Sequence, residues 1–166
     1  MLLLMLINIL PIVGLWAALR ERNRSAALLS LVIGLMGIVT VIPSRPLVEL
    51  CLVSDAFAVA TSETERQGLL AIAQTYLNSF SGTAWCIQTA LFGLWGIITG
   101  FIMRRHPAFG PRLGWMGVII SSLALGFWIP TVGLLLLFAN TIGAIIWMPL
   151  LARRLLRLGK AVHSGD

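Results

Sequence analysis

The charged residues of this chain are confined to short stretches, and the stretches between them are long and apolar. Ten of the twelve Lys and Arg residues fall into three clusters. The clusters are Arg20, Arg22 and Arg24, then Arg104, Arg105 and Arg112, and finally Arg153, Arg154, Arg157 and Lys160. Hydrophobic residues make up 58% of the sequence and charged residues only 11%, which is far from the balance of a soluble globular domain. The pattern is typical of apolar membrane helices separated by basic turns.

Five apolar runs are each close to the ~20 residues that an α-helix needs to cross the hydrocarbon core of a bilayer. They cover residues 1–19, 25–42, 83–103, 113–129 and 131–151. Helix is the predicted conformation, because a chain in lipid must satisfy its own backbone hydrogen bonds. The first run lacks a basic n-region, so a retained span is favoured over a cleaved signal peptide. We therefore expect an all-α membrane protein, with residues 1–166 forming one integral membrane domain of five transmembrane helices.

The basic clusters also predict the orientation of the chain. With the N-terminus outside, all ten clustered Lys and Arg residues lie on the cytoplasmic side, and only Arg45 and Arg66 lie outside. Topology depends on this basic count, so the positive-inside rule predicts an outer N-terminus and a cytoplasmic C-terminus. The same residues attract anionic membrane lipids. The net charge of +6 does not indicate nucleic-acid binding, because the basic residues form no stripe on a polar face.

Residues 43–82 form the one sizeable segment predicted outside the membrane. Pro43 and Pro46 end the second span, and a first helix is expected over residues 47–60. A capping box at Ser62 and Glu65 predicts the start of a second helix. Its apolar positions recur on one face at helical spacing: Leu69, Ile72, Ala73, Tyr76, Leu77 and Phe80. We expect an amphipathic helical hairpin that covers the bundle or lies at the lipid interface, with capture of an external ligand as the alternative.

The spans contain no charged or histidine residue at depth. Proton relays, ion-coupled transport and voltage sensing generally need such groups. His106 and His163 fall in a predicted loop and a predicted tail, so they offer no haem ligand inside the bundle. No zinc-protease, redox-cysteine, nucleophile-elbow or phosphate-loop motif occurs in the sequence. We predict no enzymatic activity, no cofactor and no metal site.

Gln88 and Asn140 are the polar span residues that suggest a buried polar site. Each carries a neutral amide within an otherwise apolar run. Hydrogen bonding between helices is the usual role of such residues, at about 1 kcal/mol or less each. Selection of a ligand is the alternative role.

Small residues form a second pattern within the later spans. Glycines at helical spacing allow helices to approach closely when lipid competes for apolar surface. The residues are Gly93, Gly96 and Gly100 in the third span, Gly114 and Gly117 in the fourth, and Gly143 in the fifth. They predict either helix packing within the chain or an interface with another subunit.

Cys51 and Cys86 both fall toward the outer side of the predicted topology. In an oxidising compartment they are a candidate disulfide. Burial as small apolar residues is the other interpretation of two lone cysteines.

Several short motifs, taken in order, resemble a known family. They are Leu19 to Ser25, Ser54 to Ala58, Ala60 to Arg66, Gly82 to Ala84, and the turn Met103 to Arg105 followed by Phe109-Gly110 and Leu113 to Trp115. Together they resemble a family of small bacterial multi-helix membrane proteins known only as a domain of unknown function (the DUF-four-three-eight-six-like group). The resemblance implies a helical bundle in the bacterial plasma (inner) membrane, and it brings no activity, substrate or site residue. Members often have one further span before the first, which is compatible with an apolar helix starting at Met1.

Two functions from different classes are therefore expected. The first is a non-catalytic integral membrane protein, free-standing or an accessory subunit that packs against other membrane-protein subunits. The second is a small carrier or binder of a neutral or lipidic molecule, with Gln88 or Asn140 selecting it. The uncharged spans and the glycine faces favour the first function.

Overall fold

The computed structural model describes residues 8–163, and every regular element in that range is helical. The helices are α1 (Ile9–Leu19), α2 (Arg24–Val39), α3 (Val41–Ser44), α4 (Leu47–Val59), α5 (Glu63–Ser79), α6 (Thr83–Met103), α7 (Gly110–Leu125) and α8 (Gly133–His163). A short 3-10 helix, Gly126–Trp128, follows α7.

Three helical stretches are long and apolar enough to cross a membrane, judged by length and composition. They are Arg24–Val59, Glu63–Met103 and Gly133–Lys160. The helix α1 is apolar but shorter, and residues 1–7 of the first predicted span lie outside the described part of the chain. The prediction of an all-helical chain with membrane-compatible apolar helices is confirmed for residues 8–163, and the number of spans stays a prediction.

The helix boundaries follow the sequence signals closely in the middle of the chain. The bounds of α6 are those expected for the third span. The second predicted span, residues 25–42, divides into α2 and the single turn α3. The break is at Thr40, and the hydroxyl of Thr40 donates to the carbonyl of Gly37 at 2.8 Å. After the 3-10 helix, Pro130 marks the expected break before α8. In this turn Thr131 has a left-handed φ of 74°, which is unusual for a β-branched residue.

The last helix is longer than the sequence predicted. The fifth span was expected to end at residue 151, but α8 continues to His163 and includes Pro149. Half of the residues from 152 to 163 are Leu or Arg, and both have high helix propensity even where the chain is no longer apolar. The last basic cluster therefore lies on a helix and not in an irregular tail.

The helix α6 lies at the centre of the helical body. It packs closely on α7 and on α2, while α8 packs along α7 and contacts α1. Buried apolar side chains from these helices form one core, which includes Ile12, Leu15, Trp95, Trp147 and Leu151. Because α1, α6, α7 and α8 all contribute to it, any gap in their packing is lined by residues from distant parts of the sequence.

The first helix of the 43–82 segment was predicted over residues 47–60 and covers Leu47–Val59, and the second begins at Glu63, directly after the predicted cap. The Ser62 hydroxyl accepts from the backbone N–H of Glu65 at 3.2 Å and caps α5. The side chain of Arg66 donates to the carbonyl of Ala60 at 3.3 Å and links the ends of α4 and α5. Neither helix has a buried residue. The apolar face predicted for α5 is therefore only partly covered by the described part of the chain.

Candidate functional site

A cavity of about 370 Å³ lies between α1, α6, α7 and α8. We call it the central cavity. Its walls are mostly aliphatic and aromatic, with polar side chains at a few points. The aromatic residues are Trp85, Phe92, Trp95 and Trp147, and the polar ones include Gln88, Thr89, Ser121, Asn140 and Thr141. Among the described residues that line it, none is charged.

The amide of Gln88 belongs to the α6 wall of the central cavity. Gln88 is 8% exposed, and its Oε1 atom accepts a hydrogen bond from the hydroxyl of Ser44 at 3.0 Å. Ser44 is fully buried at the end of α3. The same hydroxyl lies 2.8 Å from the carbonyl of Val41, so Ser44 joins the end of α3 to the amide of Gln88 on α6.

An arginine fixes the segment that carries Ser44. Arg45 donates from Nη1 to the carbonyl of Phe80 at 3.0 Å, and its guanidinium lies 5.0 Å from the centre of the Phe80 ring. Because Phe80 stands just before α6, this contact ties the end of α3 to the start of α6. The Ser44–Gln88 contact is therefore one of two links between these segments.

Asn140 belongs to the α8 wall of the same cavity. Its Nδ2 atom donates to the backbone carbonyl of Ile120 in α7 at 2.8 Å. The bond joins α8 to α7 and leaves Oδ1 as an acceptor without a partner among the described residues. The two amides that the sequence indicated, which are 52 positions apart in the chain, thus line one cavity.

Aromatic rings give the cavity rigid walls. Trp95 packs edge-to-face against Trp147 with 6.3 Å between ring centres, and against Phe92 with 6.4 Å. Trp147 is only 3% exposed, and its indole N–H donates to the carbonyl of Leu113 at 3.1 Å. From its position near the end of a span, Trp147 would be expected to anchor in the headgroup region. It is instead a buried link between α8 and α7, because Gly117 leaves room for its ring.

Glycines set the spacing of α6 and α7 beside the cavity. A Cβ atom added at Gly96 would collide with the hydroxyl of Ser121. One added at Gly100 would lie 2.7 Å from the carbonyl oxygen of Gly114, and one at Gly93 would lie 3.2 Å from the carbonyl oxygen of Ser121. These three α6 glycines and Gly114 therefore lie where the two helices touch.

The other two predicted glycines lie between α7 and α8. A Cβ atom at Gly117 would lie 2.9 Å from the Trp147 ring, and one at Gly143 would lie 2.7 Å from Ile120. The sequence left open whether these glycines pack within the chain or against another subunit. In the structure all six face neighbouring helices of the same chain.

A second buried polar pair joins α2 to α6. The hydroxyls of Ser30 and Thr99 lie 2.6 Å apart, and both residues are buried. The sequence shows two hydroxyl residues in apolar runs, but it carries no signal that pairs them or that pairs Ser44 with Gln88. Interhelical partners become visible only once the helices are packed.

The candidate disulfide is not formed in the structure. Cys51 and Cys86 are both free thiols. Cys51 is exposed on α4, which packs on α5, and Cys86 is half-buried on α6. A disulfide also requires close approach of the two Cβ atoms, and its formation in an oxidising compartment stays a prediction.

No protein-family model, curated protein or solved structure matches this chain. The family resemblance seen in its motifs therefore stays a prediction. Within residues 8–163, no group of three or more His, Cys, Asp or Glu residues could hold a metal ion.

Proposed function

We propose that this chain is a non-catalytic, multi-pass protein of the bacterial inner membrane that binds a small uncharged molecule in the central cavity. The observation that carries the proposal is the convergence of two neutral amides, from α6 and α8, on one aromatic-walled cavity. Ligand sites commonly combine apolar walls with a few polar groups and have volumes of about 300–1,000 Å³.

The membrane placement is supported by three long apolar helical stretches. Five spans, an outer N-terminus and a cytoplasmic C-terminus are the proposed arrangement. The basic residues support it: Arg22 and Arg105 line one surface pocket, and Arg112 and Arg153 line another. Since Arg105 and Arg112 flank the same short loop, basic residues from all three clusters gather at one end of the helices. The positive-inside rule assigns that end to the cytoplasm.

The chemistry of the cavity walls favours a neutral ligand. A charged ligand would lose its hydration and find no opposite charge among the described lining residues, which is strongly unfavourable. An uncharged molecule with an apolar body loses little hydration free energy, and its contact with the tryptophan rings is favourable. Polar groups on the ligand would form hydrogen bonds with the amide of Gln88 and with Oδ1 of Asn140.

The same walls argue against catalysis. Hydroxyl groups are present at Thr89, Ser121 and Thr141, but among the described residues no His, Asp, Glu, Lys or Cys accompanies them in the lining. A hydroxyl nucleophile needs an adjacent base, and proton transfer needs a group that titrates near neutral pH. We therefore propose binding or carriage without a chemical step.

The proposal is tested by what the purified protein retains. The protein is isolated in mild detergent, extracted with organic solvent, and the extract is analysed by mass spectrometry. The variant Gln88→Leu removes the amide and is expected to weaken binding about fivefold, and so to lower the amount of retained molecule, because one hydrogen bond of about 1 kcal/mol is lost. The matched control is Gln74→Leu, at an exposed position of α5, which should retain as much as the parent protein. Equal retention by the two variants would contradict the assignment of the cavity.

A second candidate function is that of an accessory subunit in a larger membrane complex. One side of α8 is apolar and uncovered, with Leu135 69% and Ile145 68% exposed. Phe138 and Ile142 extend the same exposed surface. Such a face meets either lipid or a neighbouring helix. A stoichiometric protein partner in the detergent preparation, with no small molecule in the extract, would favour this function over ligand binding.

A further inference from the structure

The surface pocket lined by Arg112 and Arg153 has a volume of about 310 Å³ and lies where the start of α7 meets the last part of α8. Four arginines line it: Arg112 from α7, and Arg153, Arg154 and Arg157 from α8. We call it the basic pocket. Because α8 continues beyond residue 151, Arg153 and Arg157 stand one helical turn apart on the same side of that helix. Arg112 and Arg153 are 41 positions apart in the sequence, so only the fold reveals the group.

The floor of the basic pocket is apolar. Phe109 and Leu113 are buried beneath it, and Met116 and Leu150 complete the lining with greater exposure. All four arginines are exposed, so their guanidinium groups form a cationic rim above an apolar base. A pocket with a cationic rim and an apolar floor fits a ligand that has an anionic group and an apolar body.

The rim has no counter-charge within the described part of the chain. No carboxylate lines the pocket, and the sequence contains no Asp or Glu between Glu65 and Asp166. Two arginines elsewhere have partners within the chain: Arg45 donates to the carbonyl of Phe80, and Arg104 lies 4.1 Å from the centre of the Trp115 ring. Four guanidinium groups around one pocket repel each other unless an anion from outside lies between them.

We propose that the basic pocket binds the phosphate group of an anionic phospholipid, with the acyl chains lying over its apolar floor. Arginine is suited to this ligand, since its planar guanidinium donates two parallel hydrogen bonds to phosphate oxygens. Basic pockets between helices at the cytoplasmic end of membrane proteins are the expected place for anionic headgroups. The floor distinguishes the lipid from free phosphate, which gains nothing from Phe109 or Leu113. The site depends on the proposed membrane location and is independent of what the central cavity binds.

The test uses purified protein in a neutral detergent and native mass spectrometry with added phosphatidylglycerol. Phosphatidylcholine with the same acyl chains and inorganic phosphate are the comparison ligands. The double variant Arg153→Gln with Arg157→Gln should weaken phosphatidylglycerol binding by about 25-fold, at roughly fivefold for each cationic side chain lost. The control, Arg22→Gln with Arg105→Gln, removes the same charge at the same end of the helices, and it should weaken binding by about twofold or less.

Three results would overturn the proposal. An equal loss in both double variants means that phosphatidylglycerol is attracted by total charge and has no built site. Competition by millimolar inorganic phosphate means that the pocket holds a small anion and not a lipid. Equal binding of phosphatidylcholine means that the arginines do not select the ligand.

A further variant separates a local effect from misfolding. Arg153→Lys with Arg157→Lys keeps both charges and the helix but removes the paired hydrogen bonds, so an intermediate loss is expected. Binding by the Lys variant as weak as by the Gln variant, with unchanged thermal stability, would also contradict the proposal. The molecule extracted from the central cavity should be unaffected by any of these variants, so failure at one site is distinguishable from failure at the other.

Discussion

Gly100 offers the sharpest test of how closely α6 and α7 pack. An alanine Cβ at this position would lie 2.7 Å from the carbonyl oxygen of Gly114 and 2.9 Å from the backbone nitrogen of Val118. An ordinary contact begins at 3.4 Å, so the two backbones must move apart by about 0.7 Å, which is 3.4 minus 2.7. Backbone atoms have no rotamer with which to avoid the clash. Overpacking of this kind costs about 1–3 kcal/mol.

The matched control is the same substitution at Gly68. This glycine lies within α5, and a Cβ added there meets nothing within 4 Å. Replacing an exposed glycine inside a helix by alanine stabilises the helix by up to about 1 kcal/mol. The same Gly→Ala substitution is therefore expected to lower the stability at position 100 and to raise it at position 68.

The measurement is thermal unfolding in mild detergent, followed by tryptophan fluorescence at a fixed heating rate. At about 2–4 °C for each kcal/mol in a protein of this size, Gly100→Ala should lower the midpoint by roughly 2–12 °C, and Gly68→Ala should leave it unchanged or raise it. If Gly100→Ala is neutral or stabilising, the close approach of α6 and α7 is wrong. If both variants lower the midpoint equally, glycine at these positions has a role other than spacing.

Three further predictions address the other links in the structure. Thr99→Val keeps the shape of the side chain but leaves the Ser30 hydroxyl without its partner, so it should lower the free energy of unfolding by about 1 kcal/mol. The double variant with Ser30→Ala should lose less stability than the sum of the two single variants. Strictly additive losses in detergent melts would contradict the hydrogen bond between the two hydroxyls. Trp147→Phe removes the indole N–H bond to α7 and should destabilise by about 1–3 kcal/mol, whereas a midpoint equal to that of the parent protein would refute its role as a buried link. In a background without the native cysteines, a cysteine that replaces Thr61 should react with a membrane-impermeant thiol reagent in intact cells, and a cysteine that replaces Asn23 should not. The reverse labelling pattern would overturn the proposed orientation.

The sequence predicted the middle of the fold best, for a physical reason. Thr83 and Met103 bound an apolar run that starts after the turn Ser81-Gly82 and stops at Arg104, so hydropathy and helix boundaries coincide there. They do not coincide at the end of α8. Hydropathy falls after Leu151, but helix propensity does not, and a prediction based on membrane thickness ended the helix twelve residues before His163.

The candidate site was predictable only in its polar residues. Gln88 and Asn140 stand out because amides are few in apolar runs, and the structure brings both to one cavity. Their partners carried no signal, because Ser44 was expected just beyond the end of a span and the Ile120 carbonyl belongs to the backbone. The basic pocket was hidden for a similar reason. Sequence proximity grouped Arg112 with Arg104 and Arg105, whereas packing groups it with arginines of α8.

The central claim is that the central cavity holds a small uncharged molecule, and filling the cavity tests it most directly. Ala144 lines the cavity from α8, whereas Ala139 lies on the same helix at an exposed position. The variant Ala144→Phe occupies the space a ligand needs, and Ala139→Phe adds the same ring outside it. Mass spectrometry of organic extracts should find the retained molecule in the parent protein and in Ala139→Phe, and it should find none in Ala144→Phe. An extract of Ala144→Phe that equals the parent's, or a parent protein that retains no small molecule, would contradict the account.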